Sequence, residues 1–302
     1  MKKEYAFKNI LLYKKTKEWL KKKQLPRFEG FSFYDLIKMY LSGLIKGDLT
    51  SRAGSISFSF FMAIFPALLF VLNLIPYIPI ENFTETFSRF VESAMPKSSQ
   101  EFLMSIYTDI QSHQRGGLLS SSFLLSIFFM GNGISAIFAG FQGSYHIKVT
   151  RSFIRQYIYS VVVGLVSSLL LLLAAAMYIS FLVYLRKAYS KIDLLDISYW
   201  IFSFKLLFIM LVALIFSSIL YYAGTPGTRS QRFFTPGSVM TSLLFLVTTY
   251  LFGIYIAKFS NYNELYGSIG ALLVLMLYIY INAIVLLLGF ELNAALSQLK
   301  KK

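Results

Sequence analysis

The stretch "NYNELYGSIGALLVLMLYIYINAIVLLLGFELNAAL", residues 261–296, decides the fold. Between Glu264 and Glu291 it carries no charge. At 1.5 Å of rise per residue that run is long enough to cross a hydrocarbon core of about 30 Å. Polar and small residues nevertheless break it: Gly267 and Gly270 near its start, Asn282 in its interior, and Gly289, Glu291 and Asn293 at its end. Helical spacing sorts them. Gly267, Gly270, Asn282, Gly289 and Asn293 fall along one stripe, where small side chains let another helix come close and Asn282 could add a polar wall. Glu291 follows Asn282 by nine residues, about 900° of rotation, and so points nearly the opposite way. The two do not form one site.

Five more segments read the same way: 54–78, 118–141, 156–185, 199–223 and 236–257, with 266–292 as the sixth. The chain has 302 residues, of which 56% are hydrophobic and 14% charged. Soluble domains carry about 25% charged residues. Here charge is absent from several stretches of 23 to 32 residues and concentrated between them, and the mean hydropathy is +0.62. The reading is an all-α polytopic membrane protein with six transmembrane helices. Its parts are a basic cytoplasmic and interfacial segment (1–50), a six-span membrane domain (51–296) with an extracytoplasmic connection (79–117), and a basic tail (297–302). The third span is the longest, so it is expected to tilt or to extend beyond the bilayer.

Lys and Arg set the orientation. The segment before span one, the loops after spans two and four, and the C-terminal tail hold 21, against seven in the connections after spans one, three and five. The positive-inside rule then places both termini in the cytoplasm. The N-terminal stretch, with an apolar run too short for a signal peptide, is expected to be retained. Phe7, Leu11 and Trp19 among its lysines suit an interfacial helix or a solvated tail, and residues 31–47 are expected to lie along the membrane, with Phe33, Ile37, Tyr40, Leu41 and Leu44 at helical spacing. The net charge of +15 is thereby a membrane feature: it fits anionic lipid headgroups at the cytoplasmic face, and no nucleic-acid docking motif accompanies it.

Inside the spans, Asn132, Ala136, Ala139/Gly140 and Gly143 share a helical face, suited to close packing or to a polar cavity wall. Asp48 and Arg52, four apart, could pair on one turn at the cytoplasmic surface. Pro66 should bend span one. Lys205 could snorkel to headgroups or serve a polar pathway. Thr235 is placed to cap a helix opened by Pro236. Glu291 and Arg52 both stand toward the cytoplasmic boundary, which allows a tertiary ion pair.

Three segments carry a family resemblance: "DLTSRAGSISFSFFMAIFPALLF" (48–70), "GNGISAIFAGFQGSY" (131–145), and the run from "FTPGSVMTSLLF" to "GFELNAAL" (234–296). Occurring in this order across residues 40–296, they resemble the YihY/BrkB family of inner-membrane proteins, historically labelled "ribonuclease BN-like". The resemblance implies six spans, cytoplasmic termini and a place in the bacterial cytoplasmic membrane. It also implies recurrent positions at Asp48, Arg52, Pro66, Asn132, Pro236, Gly237, Tyr262, Asn263, Tyr266, Gly267, Gly270, Gly289, Glu291, Leu292 and Asn293. Ser55 and Ser57, where alanine or leucine is frequent, and the long basic N-terminal segment depart from the pattern.

No enzymatic activity is expected. The chain has no cysteine and two histidines, His113 and His146, in connections expected on opposite sides of the membrane, so neither a metal site nor a cofactor is indicated. The leading reading is a transporter or flippase-like protein for an amphiphilic envelope component or small molecule. Asn132, Lys205 and Asn282 are its candidate path-lining residues, and Asp48, Arg52 and Glu291 a candidate cytoplasmic gate or structural pair. Pro66, Ala136, Gly140, Gly267, Gly270, Gly289 and Asn293 serve helix packing or bending. The alternatives are a non-transporting scaffold or envelope-assembly factor, with a homo-oligomer or protein partner, and a channel.

Overall fold

The computed structural model describes Glu18 and residues 32–74, 116–144, 152–188, 194–224, 233–258 and 268–299. The expected N-terminal helix around Phe7–Trp19, Gly267, both histidines and nearly all of the 79–117 connection lie outside these residues. Among the described residues seven helices follow one another: α1 (Phe33–Lys46), α2 (Leu49–Leu74), α3 (Gly116–Gln142), α4 (Phe153–Ala188), α5 (Leu194–Gly224), α6 (Pro236–Lys258) and α7 (Ser268–Leu299). Five are long and apolar enough to cross a membrane, over Ser120–Gln142, Phe153–Tyr178, Ser203–Gly224, Pro236–Ile256 and Leu272–Leu299. α2, 26 residues long, contains Pro66 without interruption. The chain is thus an all-α, multi-spanning membrane bundle.

Each long helix packs against the next, and α7 returns to pack against α2, so the six form a closed ring. Neighbours run in opposite directions. Arg52, early in α2, touches Gly140, late in α3. Phe181, late in α4, meets Phe204, early in α5, and late Thr249 of α6 meets early Tyr278 of α7. Contacts also cross the ring, α3 to α5 and α3 to α7. They are made by a buried cluster that includes Phe138, Phe141, Leu220, Tyr221, Leu287 and Phe290. Phe141 stacks on Phe290 with ring centroids 4.1 Å apart, and Tyr221 lies 5.5 Å from Phe141.

The helix ends show what hydropathy alone misses. α2 begins at Leu49 rather than residue 54, because Arg52 is helical and its charge is met inside the bundle. α7 runs to Leu299 rather than residue 292, because Ala294, Ala295 and Leu299 keep one face buried after the apolar run has ended. The start of α6 follows the capping rule: the Ser238 amide donates to Thr235 Oγ1 at 3.2 Å, with Pro236 in the first turn, where no amide hydrogen is needed.

Candidate functional site

Among the described residues, most of the cross-helix polar bonds gather at one end of the bundle, where α2, α4 and α6 begin and α3, α5 and α7 finish. Arg52, in the first turn of α2, is the hub. Its Nη1 donates to the Gly140 carbonyl at 2.8 Å, and its Nη2 to Glu291 Oε1 at 2.8 Å. The other carboxylate oxygen, Oε2, accepts from the Ser144 hydroxyl at 2.8 Å. One ion pair therefore ties α2, α3 and α7 together, with Glu291 fully buried and the Arg52 side chain 10% exposed. Charges removed from water are costly; mutual attraction and two further hydrogen bonds offset part of that cost, while Arg52 Nε stays buried without a partner.

Small residues make room for this latch. A Cβ on Gly143 would stand 2.9 Å from Arg52 Cδ, and one on Gly47 2.8 Å from Arg52 Nη2, so the side chain lies between two glycines. A Cβ on Gly140 would stand 3.0 Å from Ile56 Cδ1. Gly47 and Asp48 make the turn between α1 and α2, and half-buried Tyr40 on α1 stands near enough to Glu291 to feel its charge. Burial, and then the nearby Glu291 charge, raise the Tyr40 phenol above its ordinary pKa.

Asp48 does not pair with Arg52. It stands just outside α2 with φ 46°, a left-handed conformation that Asp tolerates better than most residues. Its side chain is therefore not on the helical face that carries Arg52, and its Oδ1 accepts from Thr50 at 3.4 Å.

The seam between α6 and α7 holds a second cluster at the same end. The Gly237 amide donates to Asn293 Oδ1 at 2.8 Å, and Asn293 Nδ2 donates to Thr235 Oγ1 at 2.9 Å. Gly237 and Gly289 face each other across the seam, and a Cβ on Gly289 would stand 2.5 Å from the Tyr221 hydroxyl. That hydroxyl donates to the Leu286 carbonyl at 2.7 Å. With its one proton so used, it accepts from Thr241 at 2.5 Å. On the other side of α3, Gln142 donates to Gln156 at 2.8 Å, and Gln156 to the Ser135 carbonyl at 3.2 Å. All six long helices are thus bonded at this end.

The residues expected to line a path are not brought together. Asn132 is nine residues before Phe141, hence on the opposite face of α3 from the aromatic cluster, at the margin of the stripe that carries Gly140 and Gly143 against α2. Asn282 shares a stripe with Tyr278, Gly289 and Asn293, and so faces α6. Its Nδ2 donates to the Tyr278 carbonyl at 2.9 Å, while its Oδ1 is buried without a partner. Lys205 is exposed on α5, nineteen residues from Gly224 and about 28 Å from the latched end.

Ser144, Tyr221 and Thr241 belong to this end of the bundle and carry no signal of it in the sequence. Hydroxyls are common in these spans, and only the fold selects the ones that meet a carboxylate or a carbonyl of another helix. Glycine and asparagine were legible because their spacing marks a face before the partner is known.

The family model for "Virulence factor BrkB" matches residues 40–302. A Bacillus subtilis protein named as ribonuclease-like, YfkH, is 30% identical over 253 residues, covering 83% of this chain and 91% of that protein. A UPF0761 membrane protein of Chlorobium limicola is 26% identical over 284 residues, 88% of this chain and 59% of its own length. Another, from Pseudoalteromonas translucida, is 38% identical over 80 residues, 26% of this chain and 27% of that protein. No solved structure matches the chain. On the span of the family model and the extent of the shared sequence, the chain belongs to the BrkB virulence-factor family of membrane proteins.

Proposed function

We propose that this protein is a six-span transporter of an amphiphilic molecule, with both termini in the cytoplasm and the Arg52–Glu291 latch as its cytoplasmic gate. Family membership, the absence of cysteine, and the lack of any metal-holding group of His, Asp or Glu among the described residues support a role other than catalysis. α2 supplies the remaining span, and the Lys/Arg asymmetry sets the orientation.

The observation that carries this reading is the position of the polar groups. The ring centre is filled at the latched end by a buried cluster that includes the rings of Phe141, Tyr221 and Phe290. Asn282 Oδ1 instead lies unpartnered in the α6–α7 seam, about 13 Å along α7 from Glu291. Asn132 and Lys205 also stand off the axis. A polar headgroup moving along a seam, with its tails left in lipid, would use groups so placed. A central pore would not.

The test is tight proteoliposomes that hold the folded full-length chain, assayed with labelled phospholipids and a panel of solutes under proton and sodium gradients. Transport that is lost in Asn282→Leu and altered in Arg52→Ala supports the reading. Movement of no lipid or solute would sink it and favour the scaffold. Single-channel conductance in planar bilayers would favour a pore.

A further inference from the structure

The best-defined element outside the spans is α1, and its three sides differ. Toward the bundle it turns Gly43 and Gly47, both buried, and half-buried Tyr40 shares that side. A second side presents Ile37, Leu41 and Ile45, one turn apart and 40%, 49% and 81% exposed. A third is polar, with Asp35, Lys38, Ser42 and Lys46 at helical spacing. The helix is well made. Ser32 and Asp35 form a capping box, Gly47 ends it, and α2 starts two residues later at Leu49.

We propose that α1 is an arm that reads the membrane: its Ile37–Leu41–Ile45 side lies in the interfacial layer of the bilayer at the latched end, and its seat there holds Gly47 against the Arg52 guanidinium. The occupant of the apolar side is lipid, on three grounds. The other exposed large apolar side chains of the described residues lie on the long helices or at their mouths, so this side continues the kind of surface that lipid covers. Tyr222, Phe233 and Phe234, all exposed, stand at the same end as an aromatic rim, the usual mark of the headgroup level. Lys38 and Lys46 border the apolar side, and a lysine-edged amphipathic helix lying flat suits anionic headgroups.

The coupling follows from contact. A Cβ on Gly47 would stand 2.8 Å from Arg52 Nη2, so α1 cannot rotate or lift without changing the space around the guanidinium. The inference depends on the bundle spanning a membrane. It does not depend on transport, and its readouts are positional, so its failure is distinct from a failure of the transport reading.

The chain has no cysteine, so Leu41→Cys and Ser42→Cys each carry a single environment-sensitive fluorophore on the full-length protein in phosphatidylglycerol-containing nanodiscs. The expected result is quenching of the Leu41 label by lipids spin-labelled high on the acyl chain, about threefold above that of the Ser42 label. Equal quenching of both labels by aqueous iodide would overturn the proposal. So would shielding of Leu41 that disappears at one copy per disc, since a second copy would then own the surface. For the coupling, Leu41→Glu should speed amide hydrogen exchange at residues 47–52 about tenfold and leave residues 285–290 unchanged. Unchanged exchange at 47–52 would remove the coupling. Should Leu41→Glu fail to fold, moving the wild-type protein from anionic to zwitterionic lipid gives the same reading.

Discussion

The two ends of the bundle are held by different forces. At the latched end, Arg52–Glu291, Asn293–Gly237, Tyr221–Thr241 and Gln142–Gln156 join helices through hydrogen bonds, and glycines bring backbones together. Toward the far end, α4 and α5 meet through ring pairs, Tyr178–Phe208 and Phe181–Phe204, and α6 meets α7 through an exposed Thr249–Tyr278 contact at 3.0 Å. Lipid tails are as apolar as leucine, so apolar burial alone gives spans little reason to stay together. Close packing and bonds do, and among the described residues these are concentrated at one end. Opening that end requires breaking charged contacts, whereas the described contacts of the far half are mainly between rings.

The largest expected effect comes from orphaning one charge of the latch. Glu291→Ala leaves Arg52 buried beside an empty space, and Ser144 loses its acceptor. A loss of about 3–5 kcal/mol is expected, measured by unfolding in mild detergent. The double variant Arg52→Met/Glu291→Ala should be less damaging than the sum of its parts, because no buried charge is left alone. If the single variant unfolds like the wild type, the contrast between the ends does not rest on this pair.

Gly289→Ala comes next. Its added carbon would meet Tyr221, Thr241 and the Gly237 backbone, and backbone cannot swing aside as a flexible side chain can. Overpacking of this kind costs about 1–3 kcal/mol. Tyr221→Phe is milder. It keeps the ring among Phe141 and Phe290 and removes the bonds to Leu286 and Thr241. Hydrogen bonds between spans average about 0.6 kcal/mol and reach about 1.7, so a loss within that range is expected from the same unfolding curves. A larger loss would show that the hydroxyl network, rather than the packed rings, closes the ring centre.

The long helices are legible in the sequence because each is a long apolar run, which hydropathy reads whatever its neighbours are. The stripes are legible too: Gly140 and Gly143 do face α2, and Gly289 and Asn293 do face α6. Spacing loses its force where the partner lies far along the chain. Glu291 and Arg52 are 239 residues apart, and the sequence could only place both near one boundary. Asp48 shows the opposite limit. Its spacing from Arg52 suggested a pair, but the rule assumes both residues are helical, and Asp48 is the turn. The candidate path residues show a related limit. Asn132, Lys205 and Asn282 are all polar and all within spans, but polarity does not say which way a helix is rotated, and the fold sets them on separate faces.

The smallest effect is the sharpest test of what distinguishes the ends. Gly253 lies toward the far end of α6, and a Cβ there would meet nothing within 4 Å. Gly54 lies near the latched end, on a face of α2 that is equally open. If position along the membrane normal decided stability, alanine at Gly54 should hurt and alanine at Gly253 should not. If local packing decides it, as the contacts around Gly289 and Gly140 indicate, both should be neutral or slightly stabilising. Alanine favours a helix over glycine by up to about 1 kcal/mol, and no neighbour has to move. Matched unfolding curves for Gly54→Ala and Gly253→Ala, beside a weakened Gly289→Ala, would place the difference in the seams themselves. A weakened Gly54→Ala would mean that the latched end is strained over its whole width, and that the glycines against Arg52 and Thr241 are only its most visible part.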